Sequence, residues 1–444
     1  SDPAQGLAKA VEMCNNNGHC RKFDADVMCP SYRITRNEKD LTRGRANTLR
    51  LAISGQLSKA EHDAPAHLPL ASQAVKEVMD LCVSCKGCKR ECPTGVDMAK
   101  MKIEFLAQYK ERFGHSLRDR LVAHLPKYAP IISTIPGLPT LLNLRNRLPM
   151  IAKVQEWFTG ISAKRTLPEW QAKHFWNQGP LPFVSPEELS KADKRVVLFA
   201  DTFNSYFENE NLQAALTLLK KSGYAIHVAQ PTLAQSESRS ESKPFCCGRT
   251  YLAAGMVEDA KGRLSALINH LAPYAEKGIA IVGLEPSCLF TLRDEALTMG
   301  LGQPAQVVSE RAFLLEEFLS KELHAMRFNP AFKESRQPVL VHGHCHQKAF
   351  AAVSPTLELL KLIPNANPQL IESSCCGMAG SFGYEVEHIE ASKQMAELSL
   401  LPTIRSHPDA LVVADGTSCR HQIADGAKRD AVHVARALVS YLEA

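Results

Sequence analysis

From about residue 190 onward, short unbroken apolar runs alternate with longer stretches of helical period. Val196-Val197-Leu198-Phe199-Ala200 has strand length and no polar face, as a strand buried on both sides of a parallel sheet requires. Ile279-Ala280-Ile281-Val282, Val339-Leu340-Val341 and Leu411-Val412-Val413 read the same way. Leu212 to Lys221 is amphipathic at helical spacing and is stopped by Gly223. Strand signals are weak in the first 120 residues. Helical period runs there through Arg45–Leu51, Ser72–Leu81 and Val96–Arg112, where Val96, Met98, Met101, Ile103, Phe105, Leu106 and Tyr109 recur at roughly helical spacing. Residues 121–190 hold nine of the 26 prolines and all three tryptophans, and predict a connector of short helices and extended turns. Trp157, Trp170 and Trp176 are expected to pack at a domain junction. The most lipid-like stretch, Ile131 to Leu144, is broken by Pro136, Gly137 and Pro139, so no transmembrane helix is expected.

The α/β part repeats itself. Cys246-Cys247-Gly248 is answered by Cys375-Cys376-Gly377 129 residues later, and Ser287-Cys288 by Ser418-Cys419 131 residues later. Each Ser-Cys follows an apolar strand by a few residues. Two pseudo-repeated α/β lobes follow, with their cysteines at strand ends, the edge where open parallel sheets place their sites. The expected domains are a helical ferredoxin-like region over 1–120, the connector over 121–190, a first lobe over 191–325 and a second over 326–444.

The 444 residues, 45% hydrophobic and 22% charged, suit about three domains of roughly 150 residues each. A net charge of +5 is too small to argue for nucleic acid. The chain opens Ser1-Asp2-Pro3 without a Met and without a secretory signal, which reads as a fragment or a processed subunit of a cytoplasmic protein. Any membrane contact would then be peripheral, at the inner membrane. The 14 cysteines are grouped rather than scattered. A disulfide scaffold would be small and secreted, so metal or redox chemistry is the better reading.

Cys82-x-x-Cys85-x-x-Cys88-x-x-x-Cys92-Pro93 is the bacterial ferredoxin spacing without a mismatch. Three close thiolates grip one face of a [4Fe-4S] cube, and the cysteine before proline reaches a second cluster. The partner run is degenerate: Cys14-x5-Cys20 has Asn17 where a cysteine would stand, and Cys29-Pro30 supplies the exchanged ligand. The main cluster is therefore expected on Cys29, Cys82, Cys85 and Cys88. Cys14, Cys20 and Cys92 leave a second site for a [3Fe-4S] cluster, or for a [4Fe-4S] cluster with a non-cysteine ligand such as His19, or vacant. Arg33, Arg36, Arg43, Arg45 and Arg50 lie between the runs, as a solvated helix face, as charge compensation beside anionic clusters, or as a docking face.

In the lobes, vicinal thiols need a turn to reach one ion, and Gly248 and Gly377 permit it. Cys345, Cys375, Cys376 and Cys419 suffice for a cluster or a tetrahedral metal in the second lobe. The first lobe has Cys246, Cys247 and Cys288, with Asp201-Thr202 where Cys345 would be matched. There an Asp201 oxygen is one alternative ligand and a vacant site the other. Alternation along His342-Gly343-His344-Cys345-His346 would put the three histidines on one face and Cys345 on the other. Cys345 is then the ligand and His346 a supporting donor or proton carrier. No Walker loop and no Gly-x-Gly-x-x-Gly after a strand is present, so no nucleotide site is expected, and no catalytic residue is identified.

The ferredoxin run followed by two Cys-Cys-Gly lobes resembles the iron–sulfur subunits of glycolate oxidase and anaerobic glycerol-3-phosphate dehydrogenase. In the lobes it also resembles the Cys-Cys-Gly subunit of heterodisulfide reductase. Met28-Cys29-Pro30-Ser31-Tyr32-Arg33, Thr42-Arg43-Gly44-Arg45-Ala46-Asn47 and Cys92-Pro93-Thr94-Gly95-Val96-Asp97-Met98 look like the C-terminal half of bacterial FAD-linked dehydrogenases of the D-2-hydroxyglutarate and D-lactate type. That resemblance implies an electron-transfer portion whose FAD lies in a partner or preceding domain and whose acceptor is a quinone or another carrier. The heterodisulfide reductase pattern departs here, since Cys419 is followed by Arg420-His421-Gln422 and Cys288 by Leu289-Phe290-Thr291. A reductase acting at the lobes, and a metal-stabilised interaction scaffold, are the two alternative functions.

Overall fold

The computed structural model describes residues 6–23, 26–57, 63–230 and 244–443. The N-terminal region is helical: α1 (Pro30–Thr35), α2 (Thr42–Ile53), α3 (Gln73–Met79), α4 (Gly87–Glu91) and α5 (Met98–Phe113). Two of its helices begin where a side chain covers a free N–H group of the first turn. Ser72 accepts from Val75 N at the start of α3, and Asp97 accepts from Lys100 N at the start of α5. Leu41, Leu49, Leu70, Val75, Met79 and Val96 close around the cysteines as one core.

The connector forms α6 (Leu117–Ala123), α7 (Leu125–Thr134), α8 (Leu138–Arg147) and α9 (Pro149–Thr159). Two of its tryptophans pack as expected. Trp170 lies 4.6 Å from Phe207 between ring centroids, and Trp176 lies 5.4 Å from Phe175 beside the core of the sheets. Trp157 does not: it is 79% exposed. Its helix is built inside out. α9 buries only Ala152, and turns Met150, Ile151, Val154, Trp157 and Phe158 outward. From the preceding helix α8 the guanidinium of Arg145 is buried, donating to the carbonyls of Ser162 (2.5 Å) and Arg165 and to Gln155 Oε1 of α9 at 3.0 Å. Among the described residues no helix is long and apolar enough to cross a membrane.

Two small parallel sheets follow. β1 (Arg195–Leu198), β2 (Ala225–Val228), β3 (Ala280–Gly283) and β4 (Ala312–Leu314) lie in the order β2-β1-β3-β4. β5 (Val339–His342), β6 (Pro368–Leu370) and β7 (Leu411–Ala414) lie in the order β6-β5-β7. The four apolar runs became β1, β3, β5 and β7. The other three strands carried little signal, since an edge strand such as β6, opening on Pro368, needs few apolar positions. Val196 pairs with Ala280 across β1 and β3, and Val339 with Leu411 across β5 and β7. Counted from those registers, Phe199 in the first lobe corresponds to His342 in the second, and Thr202 to Cys345. The sheets are not insulated from each other: Val196, Leu198 and Val282 share one core with Val339, Val341 and Val413. Glu208 of the first lobe also pairs with Arg420 of the second at 2.5 Å, both groups buried or nearly so.

Candidate metal centres

The loop that carries Cys82, Cys85 and Cys88 is bent by two left-handed residues, Ser84 (φ 48°) and Lys86 (φ 59°). Side chains with a Cβ rarely take that conformation, and such strain gathers at sites that need it. Cys29 precedes α1. The four cysteines 29, 82, 85 and 88 line one small buried cavity together with Thr42, Arg45 and Met98. Cys29 Sγ lies 3.1 Å from Thr42 Oγ1, and Met98 N donates to Cys88 Sγ at 3.4 Å. Burial pushes the Cys85 and Cys88 thiols well up, and neighbouring negative groups add to it. Without metal these thiols hold their protons, so loading the site releases them. Four convergent thiols with N–H, hydroxyl and guanidinium neighbours fit the donor set of a four-iron cluster.

Cys14 and Cys20 are buried in the same core, with Cys92 partly so. Burial pushes Cys20 up to about 11, and the Cys29 and Cys14 thiols lie close enough to contribute. Cys92 Sγ sits 3.2 Å from Thr94 Oγ1. Asn17, in the place of the missing cysteine, instead accepts from His19 N at 2.8 Å, and His19 itself is exposed. The arginines split by role. Arg45 is buried and donates to Val78 O (2.8 Å) and Ser31 Oγ (3.0 Å), Arg33 to Met28 O (2.7 Å), and Arg50 to Cys14 O (2.8 Å). Arg43 turns outward to Glu38.

In the second lobe β5 ends at His342 and Cys345 opens α10 (Cys345–Ala349), so the expected alternation stops before Cys345. His344 spends its side chain capping that helix, accepting from His346 N at 3.1 Å. His346 Nε2 reaches across to Ser84 O at 3.2 Å, tying the lobe to the ferredoxin loop. Cys345, Cys375, Cys376 and Cys419 form a chain of buried thiols, each in contact with the next, with Cys376 Sγ and Cys419 Sγ 3.5 Å apart. The residue missed by sequence reasoning is His342. A ring nitrogen of His342 and the sulfurs of Cys376 and Cys419 all lie within 4.8 Å of one another. The buried ammonium of Lys348 stands beside the four thiols and bonds Ser373.

The first lobe differs. Cys246, Cys247 and Cys288 form a shorter chain of buried thiols. Asp201 does not offer a free oxygen: Oδ1 accepts from Phe203 N (3.0 Å) and Asn204 N (3.1 Å), and Oδ2 from Asn204 Nδ2 (2.7 Å). Burial, with Glu285 nearby, pushes its carboxyl up to about 7. The glycine after each cysteine pair takes the left-handed turn, Gly248 at φ +79° and Gly377 at φ +84°. A Cβ on Gly377 would meet Ser392 O at 2.4 Å.

The ferredoxin loop is held between the lobes. On one side the fully buried Lys86 pairs with Asp294 (2.5 Å) and Glu295 (2.7 Å) of the first lobe, and Lys89 and Lys100 join Asp294 at 2.7 and 2.8 Å. On the other side Cys85 packs in one cluster with Cys345 and Cys375 of the second lobe. A cavity of about 410 Å³ opens beside them, with Cys82, Cys345, Cys375 and Cys376 in its wall.

Residues 10–96 match the family model described as a 4Fe-4S dicluster domain, and residues 339–424 that of a cysteine-rich domain. The chain is 26% identical over 92% of its length to D-2-hydroxyglutarate dehydrogenase of Pantoea ananatis, covering 41% of that protein. It is 24% identical to one subunit of the anaerobic glycerol-3-phosphate dehydrogenase of Escherichia coli, over 69% of this chain and 73% of that one. With the probable glycolate oxidase iron-sulfur subunit of Bacillus subtilis it shares 24% identity over 93% of this chain and 90% of that one. It thus spans less than half the length of the curated D-2-hydroxyglutarate dehydrogenases it matches.

Proposed function

We propose that this chain is the iron–sulfur electron-transfer portion of an FAD-dependent 2-hydroxy acid dehydrogenase, of the D-2-hydroxyglutarate or D-lactate type. Electrons would leave a flavin held by a partner or preceding domain and pass to a [4Fe-4S] cluster on Cys29, Cys82, Cys85 and Cys88. They would then reach the second lobe, and from it a quinone or another acceptor. Cys14, Cys20 and Cys92 are assigned to a second, three- or four-iron cluster. The domain limits are those given by the sequence, with the two lobes as diverged copies of one unit. The observation that carries this reading is the packing of Cys85 against Cys345 and Cys375, which leaves no insulating layer between the two cysteine sets.

The test is Cys85→Ser in the whole flavin-linked enzyme. Substrate should still bleach the flavin, while electron output to the acceptor falls by orders of magnitude. Unchanged turnover with an external acceptor would sink the relay. A catalytic reductase at the lobes is less well supported, because the first lobe has Thr202 in the place of Cys345 and commits Asp201 to a helix cap. A scaffold without redox activity predicts zinc and no acid-labile sulfide in the purified protein.

A further inference from the structure

We infer that His342 is a ligand of the second-lobe centre, giving that centre a mixed nitrogen and sulfur donor set with Cys376 and Cys419. His342 is 1% exposed. Its Nδ1 lies 2.9 Å from Ser373 Oγ, while its Nε2 is buried without a hydrogen-bond partner. A buried ring nitrogen left unpaired costs free energy unless something binds it. Here the groups it shares space with are two thiols within 4.8 Å. Metal-bound histidines characteristically engage their other ring nitrogen with a fixed partner, which sets tautomer and orientation, and Ser373 does this here. The first lobe supplies the contrast: by strand register Phe199 stands where His342 does, and it packs with Cys247 and Cys288. The lobe that lacks the leading cysteine lacks the histidine as well. An imidazole in place of a thiolate leaves the centre with one negative charge fewer and a higher reduction potential.

This rests on the second lobe holding a metal. The experiment is pulsed EPR on the intact protein with ¹⁵N-labelled histidine, together with X-ray absorption at the edge of the metal found there. The expected result is hyperfine coupling to a directly bound histidine nitrogen that changes with the label. If the metal is zinc, the expected shell has a nitrogen at about 2.0–2.1 Å beside sulfur at about 2.3 Å. His342→Cys should keep the metal, lose the coupling and lower the potential, and His342→Phe should lose the metal. An all-sulfur shell, or coupling that survives His342→Cys, overturns the assignment while leaving the electron-relay reading intact. A wild-type second lobe without metal overturns both.

We further propose that the outward face of α8 and α9 docks on an anionic lipid surface. Met150, Ile151, Val154, Trp157 and Phe158 recur at helical spacing along this outward face, with Met150 78% exposed and Leu141 of α8 61% exposed. No Asp or Glu occurs between Asp119 and Glu156; of the cations in that stretch, Lys127 pairs with Asp259 and Arg145 is buried. Arg147 and Lys153 are exposed at this face. Large apolar and aromatic side chains beside unopposed cations match an acyl boundary under anionic headgroups. The inference does not depend on the acceptor's identity.

Flotation of the whole flavin-linked polypeptide with phosphatidylglycerol–phosphatidylcholine vesicles tests it. Binding should weaken with salt and with removal of phosphatidylglycerol. Val154→Glu with Trp157→Glu should cut the bound fraction at least tenfold with iron content unchanged. No binding by the wild type, or equal binding by the double variant, overturns the proposal. So does a double variant that separates the flavin part from this one, since the face would then be a protein interface.

Discussion

The two lobes have the same strand order around their central strand and the same Cys-Cys-Gly turn, yet they touch the ferredoxin loop with different chemistry. The first lobe meets it with carboxylates: Asp294 and Glu295 take Lys86, Lys89 and Lys100. The second meets it with thiols, Cys345 and Cys375 against Cys85. Two positions at the end of the central strand mark the divergence, Phe199 and Thr202 against His342 and Cys345. A lobe that holds three cysteines but neither of these residues still packs its thiols as a buried core. Both sets of thiols are buried, so what separates them is the residues beside them.

The largest effect that would break this comparison is removal of the mooring. Asp294→Ala leaves the ammonium of Lys86 buried and short of a partner, and should cost about 3–5 kcal/mol of stability in denaturant melts. Metal content of the second lobe should not change, because its thiols lie on the other side of the loop. If Asp294→Ala strips that metal, the lobes are not chemically separate. The next effect sharpens the lobes against each other. Gly377→Ala forces a Cβ into Ser392 O and a left-handed backbone, which should cost about 1–3 kcal/mol and release the second-lobe metal. Gly248→Ala meets Ala260 O at 2.8 Å and should cost similar stability with no change in metal content.

The second lobe also holds the ferredoxin region through a charged histidine, and this makes a pH-dependent contribution. Burial by itself would depress His388, but Glu385 at 2.6 Å and Asp80 at 3.3 Å outweigh it and hold it at about 9. Both carboxylates are pressed down to about 2 despite their burial, so they stay charged across this range. A histidine raised on folding stabilises fully below its ordinary value of 6.5, and the gain fades as pH rises through about 9. Stability should therefore fall by up to about 3 kcal/mol between neutral pH and pH ~10. His388→Gln should flatten that slope in thermal melts across pH. The smallest effect is Cys247→Ser, expected to cost about 1 kcal/mol from a slightly altered buried contact. Iron per chain should be unchanged, and a fall in iron would show that the first lobe is occupied.

β1, β3, β5 and β7 were legible because each comes from an unbroken apolar run, whereas His227 interrupts the equally buried β2. β6 was not, because three residues at a sheet's flank need little hydrophobic content, nor was β4, whose three apolar residues run straight into the helix that begins at Leu315. The Cys82–Cys88 spacing marked the loop, and the structure brings Cys29 to the same cavity from 53 residues away in the chain. The histidine run read as extended because alternation was carried past the end of β5 at His342. A helix cap at His344 intervenes, and capping depends on where the chain turns rather than on residue type alone. Trp157 was misread for the opposite reason. Composition favours burial of tryptophan, but the inward side here is taken by the Arg145 network of the preceding helix α8, and α9 leaves its aromatic stripe outside.

The continuous core between the sheets bears on how the polypeptide reaches its final state. Val196, Leu198, Leu315 and Phe318 on one side need Val339, Val341 and Leu438 on the other. A ribosome that has released only the first lobe holds a half-built hydrophobic layer, with strand edges and helix faces still wet. Such a species is prone to self-association and invites chaperone capture until about the last hundred residues emerge. Unfolding of the finished molecule should accordingly show the two sheets melting in a single cooperative transition.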